Sequence, residues 1–126
     1  MPATEHAAEL AAVLAHAATE KKAESAVAID VSDRLPFADV FLIVSTANER
    51  QARAVVDAVD EAAFKAGAKA RAREGLEELR WALLDYGEVV VHVFQAEDRE
   101  YYGLERLWKD CPLVPLPAIE LAATRG

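Results

Sequence analysis

Few side chains in this chain are of the kind that does chemistry. The three histidines are His6, His16 and His92, and the one cysteine is Cys111. Strand-end carboxylates are offered by Asp30, Asp39 and Asp85. His92 stands between two valines in the run VVVHVF, with Asp85 across the preceding turn, so a histidine–carboxylate pair for acid–base work is conceivable. The other reading is a histidine satisfied by one hydrogen bond inside a packed sheet, and it is favoured because no nucleophile stands nearby. The three aspartates could hold Mg²⁺ in a nucleotidyltransferase-like enzyme. Such enzymes pair their carboxylates with a Gly-Ser turn, and this chain has no Gly-Ser dipeptide. Aspartates at strand ends also cap ordinary turns.

Metal and phosphate sites are poorly supported. His6 and His16 lie ten residues apart on one helix, too far to chelate together, and Cys111 is remote from both. No GxxxxGK or GxGxxG occurs, so no phosphate-cradling loop is expected. Neither a cofactor nor a metal is expected.

The aromatic residues say more. Trp81, Tyr86, Tyr101, Tyr102 and Trp108 are all the Trp and Tyr in the chain, and they fall within one stretch. Trp and Tyr dominate the energetic centres of protein interfaces. They are not interleaved with Lys and Arg as a base-stacking platform would be. The competing reading for each is core packing.

The elements that position these residues follow from periodicity. In residues 4–23, Leu10, Val13, Leu14 and Ala17 repeat at helical spacing; Thr4 can cap the start, and Lys21 and Lys22 suit the other end. Strands are expected at 26–31 (AVAIDV) and 38–45 (ADVFLIVS), the second with an apolar centre that reads as covered on both faces. A second helix starts at Asn48, with Gln51 completing a capping box, and stops near Ala66 before Gly67. Its buried side is expected to be Val55, Val56, Val59, Ala63 and Phe64. The charged stretch 68–80 holds at most a weak edge strand near Lys69–Arg73. Residues 80–94, RWALLDYGEVVVHVF, form a hairpin turning at Tyr86–Gly87, and the second strand, apolar on both faces, belongs in the middle of the sheet. Short helical turns are expected at 97–109, and a proline-bearing, extended tail at 112–126. The order α-β-β-α-(β)-β-β-α predicts one α/β (α+β) domain over residues 1–111, a mixed sheet of about five strands flanked by helices.

A net charge of −8, with 22 acidic and 14 basic residues, argues against direct RNA or DNA binding. It suits a basic protein partner, or simply solubility. The lone thiol fits a reducing compartment. The N-terminus lacks the marks of a secretory signal or an organelle transit peptide, and no apolar run approaches a membrane span, so a soluble, cytoplasmic protein is expected.

From Lys22 to Trp108 the chain resembles the ribosomal silencing factor family, also called RsfS or Iojap-like. The resemblance is carried by KKAESAVAIDV, FADVFLIVSTANERQARAV, RWALLDYGEVVVHVF and EDREYYGLERLW. It implies a nucleotidyltransferase-like topology without the catalytic residues, and a homodimer when the protein is free. It implies binding to the large ribosomal subunit through its protein uL14, where the small subunit would dock. Subunit joining is then blocked, and translation falls when nutrients are scarce. The family's partner-binding patch carries over onto Trp81, Leu84, Asp85 and Tyr86 of the hairpin, and onto Tyr102, Leu104, Glu105 and Trp108. Leu84 and Trp108 would anchor by apolar contact; Asp85 and Glu105 would pair with basic groups.

Overall fold

A computed structural model of the chain describes residues 4–36, 38–95, 111–114 and 116. Thr4 caps helix α1 (Glu5–Glu20), its side-chain oxygen accepting from the Ala7 N–H at 3.0 Å. Strands β1 (Ser25–Asp30) and β2 (Val40–Thr46) follow, then helix α2 (Glu49–Lys65). Asn48 caps α2 by accepting from Gln51 N–H at 2.9 Å, while the Gln51 side chain accepts from Ala47 N–H at 2.7 Å. The capping box is therefore present with its return bond displaced by one residue. Next come β3 (Ala72–Glu74), β4 (Trp81–Asp85) and β5 (Val89–Gln95).

The sheet has the order β1-β2-β5-β4-β3. The β2–β5 pair is parallel and the others are antiparallel. The mixed five-stranded sheet and the central place of β5 match the sequence reading. Residues 97–109, expected to hold short helical turns, lie outside the described residues.

The alternation along each strand sorts side chains into two faces. Val40, Leu42 and Val44 of β2, Val89, Val91 and Val93 of β5, and Ala82 and Leu84 of β4 lie under the two helices. Ile29, Phe41, Ile43, Val90 and Phe94 form a second buried cluster on the opposite face, where Val31, Leu35, Ala38 and Cys111 join them. Every residue of β2 is buried, as its continuous apolar run demands.

Two expectations about the helices need correction. The stripe α1 buries is Ala7, Leu10, Ala11, Leu14, Ala15 and Ala18, while Val13 is 43% exposed. At about 100° per residue Val13 points away from the side shared by Leu10, Leu14 and the four alanines, so it is left outside. On α2 the buried residues are Ala52, Val55, Val56, Val59 and Ala63, but Phe64 is 83% exposed. One step past Ala63 turns the side chain about 100° around the helix, off the sheet.

Candidate protein-binding site

The hairpin β4–β5 organises the candidate residues. Trp81, Leu83 and Asp85 project from β4 to the face opposite the helices, and each is half-buried. The Trp81 ring stacks on Phe94 with centroids 5.2 Å apart, its partner in the strand register. Its indole N–H donates to Nδ1 of His92 at 3.0 Å, along the diagonal of the strand pair. His92 also meets the Phe41 ring at 4.6 Å. Burial pushes its pKa down to about 4. An indole can only donate, so Nδ1 is the acceptor and the imidazole proton resides on Nε2. Nε2 is buried and has no hydrogen-bond partner among the described residues.

A His92–Asp85 pair does not form. His92 lies opposite Leu83, while Asp85 lies opposite Val90, two residues along the ladder. Asp85 instead caps the hairpin turn, accepting from Gly87 N–H at 2.8 Å. The other two aspartates serve local structure as well. Asp30 accepts from both the N–H and the hydroxyl of Ser32, at 3.0 and 2.6 Å, and Asp39 accepts from Thr4 N–H at 3.2 Å. His6 and His16 face carboxylates, Glu88 at 2.7 Å and Glu20 at 3.8 Å. The Glu88 hydrogen bond raises the His6 pKa. Among the described residues no three His, Cys, Asp or Glu side chains are grouped to hold a metal ion.

Leu84 and Tyr86 lie on the helix side of the hairpin. Leu84 is fully buried in the core beneath the helices, so it shapes the hairpin from below and is not available as an exposed anchor. Tyr86 is 7% exposed, and its hydroxyl donates to Asp60 of α2 at 2.5 Å. The other Asp60 oxygen accepts from Arg73 Nε at 2.8 Å. Burial, together with the Asp60 bond, raises the Tyr86 pKa beyond its ordinary range. The same carboxylate raises that of Arg73. Asp60 thus ties the turn, the edge strand and α2 together. Tyr102, Leu104, Glu105 and Trp108 lie outside the described residues.

Three residues of this arrangement escaped the sequence reading. Asp60 left one trace, a carboxylate at the margin of an apolar helical stripe. Arg73 falls in the charged stretch that periodicity could not resolve. Gly75 has φ +74°, and a Cβ placed on it would meet the Trp81 carbonyl oxygen at 2.2 Å. The loop 75–80 therefore packs directly on the start of β4, and only glycine fits there.

The described residues define a small mixed α+β domain in which the β4–β5 hairpin presents a half-buried tryptophan and a carboxylate beside a buried aromatic cluster. The sequence pattern of a family described as "Ribosomal silencing factor during starvation" matches residues 4–126. The ribosomal silencing factor RsfS of Halalkalibacterium halodurans is 40% identical over 111 residues, covering 88% of this chain and 95% of that protein. RsfS of Bacillus subtilis is 39% identical over 104 residues, covering 82% and 88%. The chloroplastic protein Iojap of Zea mays is 33% identical over 107 residues, covering 82% of this chain and 45% of that longer protein. Among solved structures, one from Bacillus halodurans has a TM-score of 0.75 at 39% identity, covering 86% of this chain and 98% of that one. Another, protein CV0518 of Chromobacterium violaceum, has a TM-score of 0.77 at 26% identity, covering 93% and 94%. The chain belongs to the ribosomal silencing factor family.

Proposed function

We propose that this chain binds the large ribosomal subunit through protein uL14 and, by occupying that surface, keeps the small subunit from joining. Translation is thereby lowered when nutrients are limiting. The action needs affinity and bulk and no chemical step, so the protein is not an enzyme. It works in the cytoplasm, makes little direct contact with RNA, and is a homodimer when free.

One observation carries this reading beyond family membership: β4 sends Trp81, Leu83 and Asp85 to one face, half-buried and side by side. An aromatic anchor next to a carboxylate is the composition of an interface centre for a basic partner. The net charge of −8 favours encounter with such a partner. The family resemblance adds Tyr102, Leu104, Glu105 and Trp108 to the contact residues, and Leu84 and Tyr86 hold the hairpin in place from the other side. The test is sedimentation with isolated large subunits, small subunits and whole ribosomes. Recovery with large subunits, together with reduced subunit reassociation, is expected. Absence from the large-subunit fraction would overturn the reading.

The rival reading, a Mg²⁺-dependent nucleotidyltransferase-like enzyme, draws no support from the carboxylates. Asp30, Asp39 and Asp85 are each engaged with a neighbouring N–H or hydroxyl. Saturable binding of a nucleotide with Mg²⁺ would revive it.

A further inference from the structure

Helix α2 ends in a turn that leaves a groove beside it. Gly67 N–H donates to Phe64 O at 3.0 Å and Ala68 N–H to Ala63 O at 2.8 Å, with Gly67 at φ +81°. Ala68 and Ala70 then pack against the helix-side core before β3 begins. Phe64 is left 83% exposed, more than any other large apolar side chain among the described residues. The groove beside it, of about 400 Å³, is lined by Asp60, Phe64, Ala68, Lys69, Arg73 and Tyr86. Pockets for small organic molecules span about 300–1,000 Å³, mostly apolar with a few polar groups.

The charges in the groove do not balance. Asp60 accepts from the Tyr86 hydroxyl with one oxygen and from Arg73 Nε with the other. Holding Nε fixes the plane of the guanidinium, whose two terminal nitrogens have no hydrogen-bond partner among the described residues. Lys69 has no ion pair there either, whereas Lys65, outside the groove, is bound to Glu61 at 2.9 Å. One carboxylate thus faces two cations, leaving one positive charge uncompensated in a chain of net charge −8. Charge on an edge strand guards it against pairing with another strand. That accounts for Arg73 on β3, but not for a bare phenyl ring beside it.

We infer that this groove binds a small apolar monocarboxylate. Its aromatic or alkyl body lies on Phe64, Ala68 and Ala70, and its carboxylate meets Lys69 and the terminal nitrogens of Arg73. A single carboxylate balances the spare charge. A phosphomonoester would bring nearly two negative charges to one positive, and an RNA strand one per nucleotide, against the negative field of the whole chain. A guanidinium already oriented by Asp60 loses little freedom on binding. The groove lies on the helix side of the sheet and Trp81 on the other, so the ligand and the candidate protein contact occupy separate surfaces.

The test is an NMR titration of the full-length, ¹⁵N-labelled chain at pH 7 with 4-phenylbutyrate, and with its neutral amide, 4-phenylbutanamide. The carboxylate should give saturable shifts centred on the amides of Phe64, Ala68, Lys69 and Arg73. The amide should bind about tenfold more weakly, as loss of a charged hydrogen bond requires. Lys69→Gln and Phe64→Ala alter exposed side chains, so the fold should persist, and each should weaken 4-phenylbutyrate about tenfold. Lys65→Gln should bind like the parent. Absence of saturable shifts, shifts centred elsewhere, equal binding of acid and amide, or indifference to both groove variants would overturn the proposal. The same shifts from inorganic phosphate alone would overturn it too, since they would show an anion site with no use for the ring. None of these outcomes depends on ribosome binding.

Discussion

The indole nitrogen of Trp81 donates to Nδ1 of His92 at 3.0 Å, which fixes His92 as a neutral imidazole with its proton on Nε2. The bond joins the strand that carries the candidate contact face to the central strand of the sheet. It also makes that face sensitive to acid, because a protonated imidazole has no acceptor to offer the indole.

The sign of the pH effect follows. The His92 pKa is about 4 in the fold against 6.5 unperturbed, a depressed value. Above pH ~6.5 neither state is protonated and the His92 effect on stability is flat. As pH falls from there to about 4 the unfolded chain takes up a proton that the fold refuses, and stability drops by an amount on the order of 3 kcal/mol. Chemical denaturation at pH 7 and pH 4.5 should show this drop in the parent and a smaller one in His92→Phe. An equal drop in both would assign it to other groups.

Tyr86→Phe removes the hydroxyl held by Asp60, and Asp60→Asn weakens its contacts with both Tyr86 and Arg73. A hydrogen bond to a charged group contributes roughly 1.5–3 kcal/mol, so each change should destabilise by about that amount. Because they touch one carboxylate, the double variant should cost less than the sum of the singles. Urea denaturation of the four proteins measures the coupling, and additive losses would deny it.

Gly75→Ala forces a Cβ into the Trp81 carbonyl and asks alanine to hold φ +74°. Strain of this kind costs about 1–3 kcal/mol, and relief here requires the start of β4 to move. The expected result is lower stability with a shifted tryptophan emission in a Trp108→Phe background. Gly67→Ala also has positive φ but meets nothing within 4 Å, so it should leave the emission unchanged.

Leu84 and Asp85 are neighbours with opposite consequences. Leu84→Ala empties core volume and should cost about 2–5 kcal/mol of stability. Asp85→Asn keeps an acceptor for Gly87 N–H while removing the charge, so stability should hold within about 0.5 kcal/mol, as for an ordinary surface change. Its affinity for the large subunit should fall and become less salt-dependent. Unchanged affinity and salt dependence would take Asp85 out of the contact.

Most of the architecture was legible because its signals are local. The caps Thr4 and Asn48, the continuous run of β2 and the Tyr86–Gly87 turn each specify an element through neighbours in sequence. The side a residue faces was harder to read. Leu84 and Trp81 both look like anchors in WALLD, yet the period of two along a strand sends them to opposite faces. Phe64 looked like core because it adjoins Ala63, and helical rotation put it outside. Tertiary partners were out of reach: Asp60 meets Tyr86 across 26 residues, and the tail meets β1 across more than 80. No periodicity encodes such pairings.

The central claim is most directly tested by measuring affinity for isolated large subunits with the parent chain, Trp81→Ala and Phe64→Ala. Trp81 stacks on Phe94 and bonds His92, so its removal also lowers stability, and binding should be measured where circular dichroism shows the variant folded. The parent should bind the large subunit and not the small one. Trp81→Ala should weaken binding by about thirtyfold, as loss of an interface anchor worth roughly 2 kcal/mol requires. Phe64→Ala, altering an exposed ring on α2, which packs on the sheet face opposite Trp81, should bind like the parent. A folded Trp81→Ala that binds as tightly as the parent, or a parent with no affinity for the large subunit, would contradict the account.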